Sequence, residues 1–127
     1  MSPVHMEKFE SAVRLAAGYN DAFNKMDLQL IGRLLDDNCI FEDPGPAPEG
    51  SVFRGKRAVL DYLKDYFDRH PEIKRETEEL TGFGKRCLLR WKCSWKNENG
   101  ILQYLRGIDV FIVKNESITE KFTYIKG

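Results

Sequence analysis

The chain is predicted to be an α+β domain, with three helices coming early and four strand-like segments filling the second half. Three observations carry this. Apolar residues recur at spacings of three and four up to about residue 67. Alternation at period two takes over from residue 73. Short turn sequences then separate the later segments. With 127 residues the chain forms one domain, residues 1–127, large enough to bury a substantial core.

The first helix is read over about residues 6–25, where Phe9, Ala12, Val13, Ala16, Tyr19, Phe23 and Met26 share one face. Asp27 caps a short second helix carrying Leu28, Ile31, Leu34 and Leu35. Residues 39–43 form a strand, broken by the Pro/Gly-rich loop Pro44–Gly50. A third helix follows Gly55, with Val59, Tyr62, Leu63, Tyr66 and Phe67 on one side, and His70-Pro71 stops it.

Strands follow at 73–83, 86–96, 101–114 and 118–126, with tight turns at Asn97–Gly100 and Lys114–Glu116. Leu89, Trp91, Cys93 and Trp95 point toward the helices; Arg90, Lys92 and Lys96 point to water. A register that sets Trp91 opposite Gly107 also sets Leu89 opposite Asp109, and the missing side chain at Gly107 gives the indole room. The facing of the last strand stays open, since Phe122 and Tyr124 alternate with Lys121 and Thr123.

Twenty basic and twenty acidic residues give zero net charge, so no nucleic acid or anionic membrane is expected as a partner. The apolar runs are too short to span a bilayer and the first residues lack a signal-peptide pattern, which makes a cytoplasmic protein the expectation. Cys39, Cys87 and Cys93 have no metal-type spacing and read as reduced core residues. His5 and His70 lie far apart, and His70 as a cation suits a helix carboxyl end. No metal and no cofactor is expected.

Three titratable residues lie among apolar neighbours: Tyr19 on the first helix, Asp43 at the end of Cys39–Glu42, and Asp109 inside Ile108–Val113. Each alone admits a structural role. Tyr19 would be a core tyrosine, Asp43 a turn residue before Pro44, and Asp109 one half of an ion pair. A converging set would instead make a polar patch in an apolar pocket, the usual form of a small-molecule site.

Phe41-Glu42-Asp43-Pro44, Phe53-Arg54-Gly55 and Arg106-Gly107-Ile108-Asp109-Val110-Phe111, in this order of elements, resemble the SnoaL-like and ketosteroid-isomerase-like families. These share the cone-shaped fold of nuclear transport factor two, with helices on a curved, mainly antiparallel sheet. Tyr19 and Asp43, with Asn24, Asp27 and Asp36-Asp37 between them, match bacterial ketosteroid isomerases without a gap.

The resemblance implies that Tyr19 and a protonated Asp109 donate hydrogen bonds to an enolate oxygen, and that Asp43 is the general base. It further implies a small hydrophobic carbonyl ligand, with Trp91, Trp95, Phe111 and Gly107 lining its pocket. A homodimer through the outer sheet face is also implied. A non-catalytic ligand-binding or dimerisation module of the same fold is the alternative. An epoxide hydrolase of this fold would want an Asp-Arg-Asp set, and Arg106 and Arg90 both face away from the pocket.

Overall fold

The computed structural model describes residues 3–126, with side chains from Ser11 onward; His5 and Phe9 therefore lie outside the described side chains. Helix α1 spans Pro3–Asn24 and buries Ala12, Ala16, Tyr19 and Phe23, the face its periodicity marks. Helix α2, Leu28–Leu34, starts where the Asp27 carboxylate accepts the Leu30 N–H at 3.0 Å. Strand β1 runs Leu35–Asp43, four residues earlier than the apolar run suggests.

A short strand, β2 (Ser51–Arg54), follows the Pro/Gly loop and pairs antiparallel with β1, Phe41 opposite Phe53. Four residues, two of them exposed, are too few to show a period, and the sequence reading passed over them. Helix α3, Lys56–Arg69, begins after Gly55, whose φ of 92° favours glycine, and ends at His70. It presents Val59, Leu63 and Phe67 to the core.

Strands β3 (Lys74–Phe83), β4 (Arg86–Lys96), β5 (Leu102–Lys114) and β6 (Ser117–Ile125) follow within a residue of the predicted limits. The six strands form one sheet in the order β2-β1-β6-β5-β4-β3. Every neighbouring pair is antiparallel except β1–β6, which is parallel, so the sheet is mixed. The third helix also sits between strands, between β2 and β3, rather than ahead of them all.

The register Trp91–Gly107 and Leu89–Asp109 is observed in the β4–β5 pair. A Cβ on Gly107 would lie 2.5 Å from the Trp91 ring and 2.7 Å from the Tyr124 carbonyl oxygen, so glycine is the residue that fits. In β6 the inward residues are Ile118, Lys121 and Thr123, while Tyr124 is 63 % exposed. Polar side chains thus occupy the inner face and an aromatic the outer. Among the described residues no helix is long and apolar enough to cross a membrane.

Candidate active site

The site lies between α1, α3 and the inner face of the sheet. A cavity of about 180 Å³ opens there, and Tyr19, Asp43 and Asp109 all border it. They come from three different elements, α1, β1 and β5. Their surroundings differ sharply.

Asp109 is fully buried, and its carboxylate is matched on every side. Arg75 donates to Oδ2 at 2.5 Å, the Thr123 hydroxyl donates to Oδ1 at 2.7 Å, and Lys121 Nζ stands 3.8 Å from Oδ1. Thr123 reaches it because the two residues are directly opposite in the β5–β6 ladder. Burial alone would push the Asp109 carboxyl up, but Arg75, Lys121 and the two hydrogen bonds outweigh it and hold it below the ordinary carboxylate range. These partners favour the ionised carboxylate over the protonated acid expected at this position. The apolar strand raises the cost of the charge, and the Arg75 guanidinium with the Thr123 hydroxyl offsets it.

Arg75 is the residue the sequence reading missed. It lies in the charged stretch Lys74–Glu79, which reads as a solvated strand, yet it is 6 % exposed. Two asparagines of α1 fix its backbone. Asn24 Nδ2 donates to the Arg75 carbonyl at 2.9 Å, and Asn24 Oδ1 accepts the Arg75 N–H at 2.8 Å; Asn20 Nδ2 adds a longer contact of 3.4 Å. The guanidinium lies over the Trp91 indole, 4.4 Å from its centroid, and 5.0 Å from that of Phe23. From there it reaches Asp109. Arg106 and Arg90 do face outward, on Glu78 and Glu79 respectively, but Arg75 places an arginine beside Asp109 in a cavity that Asp43 also borders. An Asp-Arg-Asp set on one cavity is thus present after all.

Lys121, on β6, is 7 % exposed and opposite Phe111 in the ladder. Its Nζ donates to Thr123 Oγ1 at 2.8 Å and lies 4.7 Å from the Phe41 ring centroid. Burial pushes its pKa down; Asp109 pulls it up, Arg75 pushes it down again, and the net is below the ordinary lysine value.

Asp43 stands at the mouth, half-buried, where β1 ends. Its Oδ2 accepts a long contact of 3.5 Å from the Gly45 N–H, and among the described residues no lysine or arginine forms an ion pair with it. Tyr62 and Tyr66 of α3 border the same opening. Burial raises both phenols, and the negative charge of Asp43 adds to the rise at each. Tyr19 is likewise kept protonated, chiefly by burial. All three are hydroxyl donors and acceptors rather than phenolates.

Of the apolar positions expected to line the pocket, Trp91 does. Trp95 lies toward the far end of the sheet, 6.2 Å from the His70 ring, and does not border the cavity. Phe111 is fully buried at the closed end, packed 5.5 Å from the Tyr19 ring. Gly107 is covered on its inner side by Trp91 itself. Cys93 borders the cavity, its thiol pushed up to about 11 by burial; Cys39 and Cys87 are buried and free. Burial and neighbouring Arg69 lower the His70 pKa, which disfavours the cation expected at that helix end. Among the described residues no cluster of three His, Cys, Asp or Glu could hold a metal ion.

The SnoaL-like domain family matches residues 16–121, a span that takes in Tyr19, Asp43, Arg75, Asp109 and Lys121. The uncharacterized protein YesE of Bacillus subtilis is 40 % identical over 63 residues, a match covering 48 % of this chain and 42 % of that protein. The match thus spans less than half the length of that relative. Among solved structures, a nuclear transport factor two-like protein of unknown function from Mesorhizobium loti is 26 % identical with a TM-score of 0.81, covering 94 % of both chains. A provisionally assigned ketosteroid isomerase from Kribbella flavida has a TM-score of 0.82 at 15 % identity, covering 94 % of this chain and 81 % of its own. With most of the helices, sheet and cavity lining inside the matched span, the chain belongs to the SnoaL-like domain family and has the nuclear transport factor two-like fold.

Proposed function

We propose that this protein is a cofactor-free enzyme acting on a small apolar carbonyl compound, with Asp43 moving a proton at the carbon beside the carbonyl. The observation that carries the reading is a carboxylate that forms no ion pair among the described residues, at the mouth of a cavity whose floor holds the Arg75 guanidinium and hydroxyl groups. Asp43 has lone pairs free to take a proton. The enolate oxygen that results is met by the Tyr19 hydroxyl and by the permanent charge of Arg75. Asp109 acts as the anchor of that arginine, in place of the neutral donor the resemblance implied.

The cavity volume narrows the ligand. Drug-sized molecules occupy sites of about 300–1,000 Å³, whereas an apolar cavity of about 150 Å³ holds benzene. At about 180 Å³ the space suits one ring with small substituents rather than an enclosed steroid.

The test is exchange of the α-protons of cyclohexanone for deuterium, followed by NMR. Asp43→Asn is expected to slow the enzymatic exchange by at least about a hundredfold. Unchanged exchange in that variant overturns the reading. Ketone binding without any exchange would leave a non-catalytic ligand-binding module of the same fold.

A second reading has its own support. Asp43, Arg75 and Asp109 on one cavity are the groups needed to hold and deprotonate a water for epoxide opening, and hydrolysis of styrene oxide, measured beside the exchange assay, decides between the two. We also propose a homodimer through the outer sheet face, where Tyr104 and Tyr124 are more than half exposed and Arg106 is paired with Glu78. Light scattering that returned a monomer mass would exclude it.

A further inference from the structure

Lys121 is the buried, potentially nucleophilic group for which the proposed proton transfer has no use. Its surroundings come from five elements: Tyr19 of α1, Asp43 of β1, Arg75 of β3, Asp109 of β5, and Thr123 of its own strand. Two cations face one buried carboxylate. Arg75 takes Oδ2 of Asp109 and the Thr123 hydroxyl takes Oδ1, which leaves Lys121 at 3.8 Å, beyond hydrogen-bond distance. An arginine cannot give up its proton inside a protein, whereas a lysine can. With Arg75 already holding Oδ2 of Asp109, a charged Lys121 would share that one carboxylate at 3.8 Å, with Asp43 as its other negative neighbour. The amine form avoids this. It needs only the one hydrogen bond observed, to Thr123 Oγ1 at 2.8 Å.

We propose that Lys121 is an amine nucleophile that forms a Schiff base with a small ketone or aldehyde entering the cavity. The inference rests on the carbonyl-ligand reading above and adds a covalent step to it. The Nζ lone pair adds to the carbonyl carbon, a C–N bond forms, and the π pair moves to oxygen. The two amine protons leave with that oxygen as one water, and a C=N bond remains. Uptake of one proton from solvent at the imine nitrogen gives the iminium, which acidifies the neighbouring carbon, where Asp43 stands at the mouth. Burial, and Arg75 beside it, lower the Lys121 pKa, Asp109 and Asp43 raise it, and the net direction is downward.

The experiment incubates the whole protein at pH 7.4 with cyclohexanone, and separately with benzaldehyde, in the presence of cyanoborohydride, and maps the adducts by peptide mass spectrometry. Reduction adds the mass of the carbonyl compound less its oxygen. A surface lysine is unprotonated only about one part in a thousand at that pH, so Lys121 should carry at least about ten times the adduct of exposed Lys64 and Lys114. Lys121→Met keeps an unbranched chain of similar length and should lose the adduct while near-ultraviolet circular dichroism stays unchanged. If that variant does not fold, the wild-type peptide map still decides.

Adducts spread evenly over surface lysines, or no adduct on Lys121 with either probe, overturn the inference. Failure here is distinguishable from failure of the proton-transfer reading. Deuterium exchange without a Lys121 adduct removes the Schiff base and keeps Asp43 as base. An adduct without exchange does the reverse.

Discussion

The mouth and the floor of the cavity each hold one aspartate, and the two could hardly be housed more differently. At the mouth, Asp43 is half-buried, has phenol neighbours and forms no ion pair among the described residues. On the floor, Asp109 is wholly buried and meets an arginine, a threonine hydroxyl and a lysine. A carboxylate in low dielectric persists only when matched by charge and hydrogen bonds, and that matching consumes the lone pairs chemistry would need. The floor aspartate is thus committed to structure and to positioning Arg75. The mouth aspartate keeps its capacity to react.

The largest stability effect that would test this contrast is at the floor. Asp109→Ala leaves Arg75 buried without its partner and should cost about 3–5 kcal/mol, read as a fall in the urea midpoint. The same interaction has a pH signature. Asp109 binds its proton less readily in the folded chain than in the unfolded one, so the unfolded state takes up the proton first as pH falls. The stabilisation is complete above the unfolded value of about 3.9 and is lost as pH drops through the folded value. Asp109→Asn should flatten that acid limb. A limb unchanged in the variant would place the acid sensitivity elsewhere.

Next in size is Gly107→Ala. The new methyl meets the Trp91 ring and the Tyr124 carbonyl, and should cost about 1–3 kcal/mol by overpacking. Because Arg75 lies over that same indole, a shifted Trp91 fluorescence spectrum should accompany the loss. The smallest stability effect is expected at the mouth. Asp43→Asn should change the urea midpoint by no more than about 0.5 kcal/mol in stability while abolishing most proton exchange. A large destabilisation there would erase the distinction between the two aspartates.

The inward setting of Asp109 was legible because an aspartate in Ile108–Val113 shares parity with Gly107, and only one register gives Trp91 room. Its protonation state was not legible. That depended on Arg75, whose own neighbours, Lys74, Glu76, Glu78 and Glu79, disguise it as part of a solvated strand. The asparagines of α1, the indole of Trp91 and the Asp109 carboxylate, all distant in sequence, draw it inward. Lys121 and Thr123 were hidden for a related reason. Hydropathy favours Phe122 and Tyr124 as the inner pair, and the demand of a buried carboxylate for donors reverses the choice. Trp95 and Phe111 share the correct face with the site but lie toward opposite ends of it, a distinction alternation cannot make.

The grip of Asn24 on residue 75 has a consequence beyond the cavity. Strand β3 is an outer member of the sheet, and its free side would ordinarily present unpaired N–H and C=O groups. A side-chain amide that accepts the N–H and donates to the C=O of one residue copies what another strand would offer there. Asn24 therefore serves as a one-residue surrogate strand. It denies that stretch of the border to another chain, so the sheet is shielded from edge-to-edge growth at the very residue that builds the pocket floor.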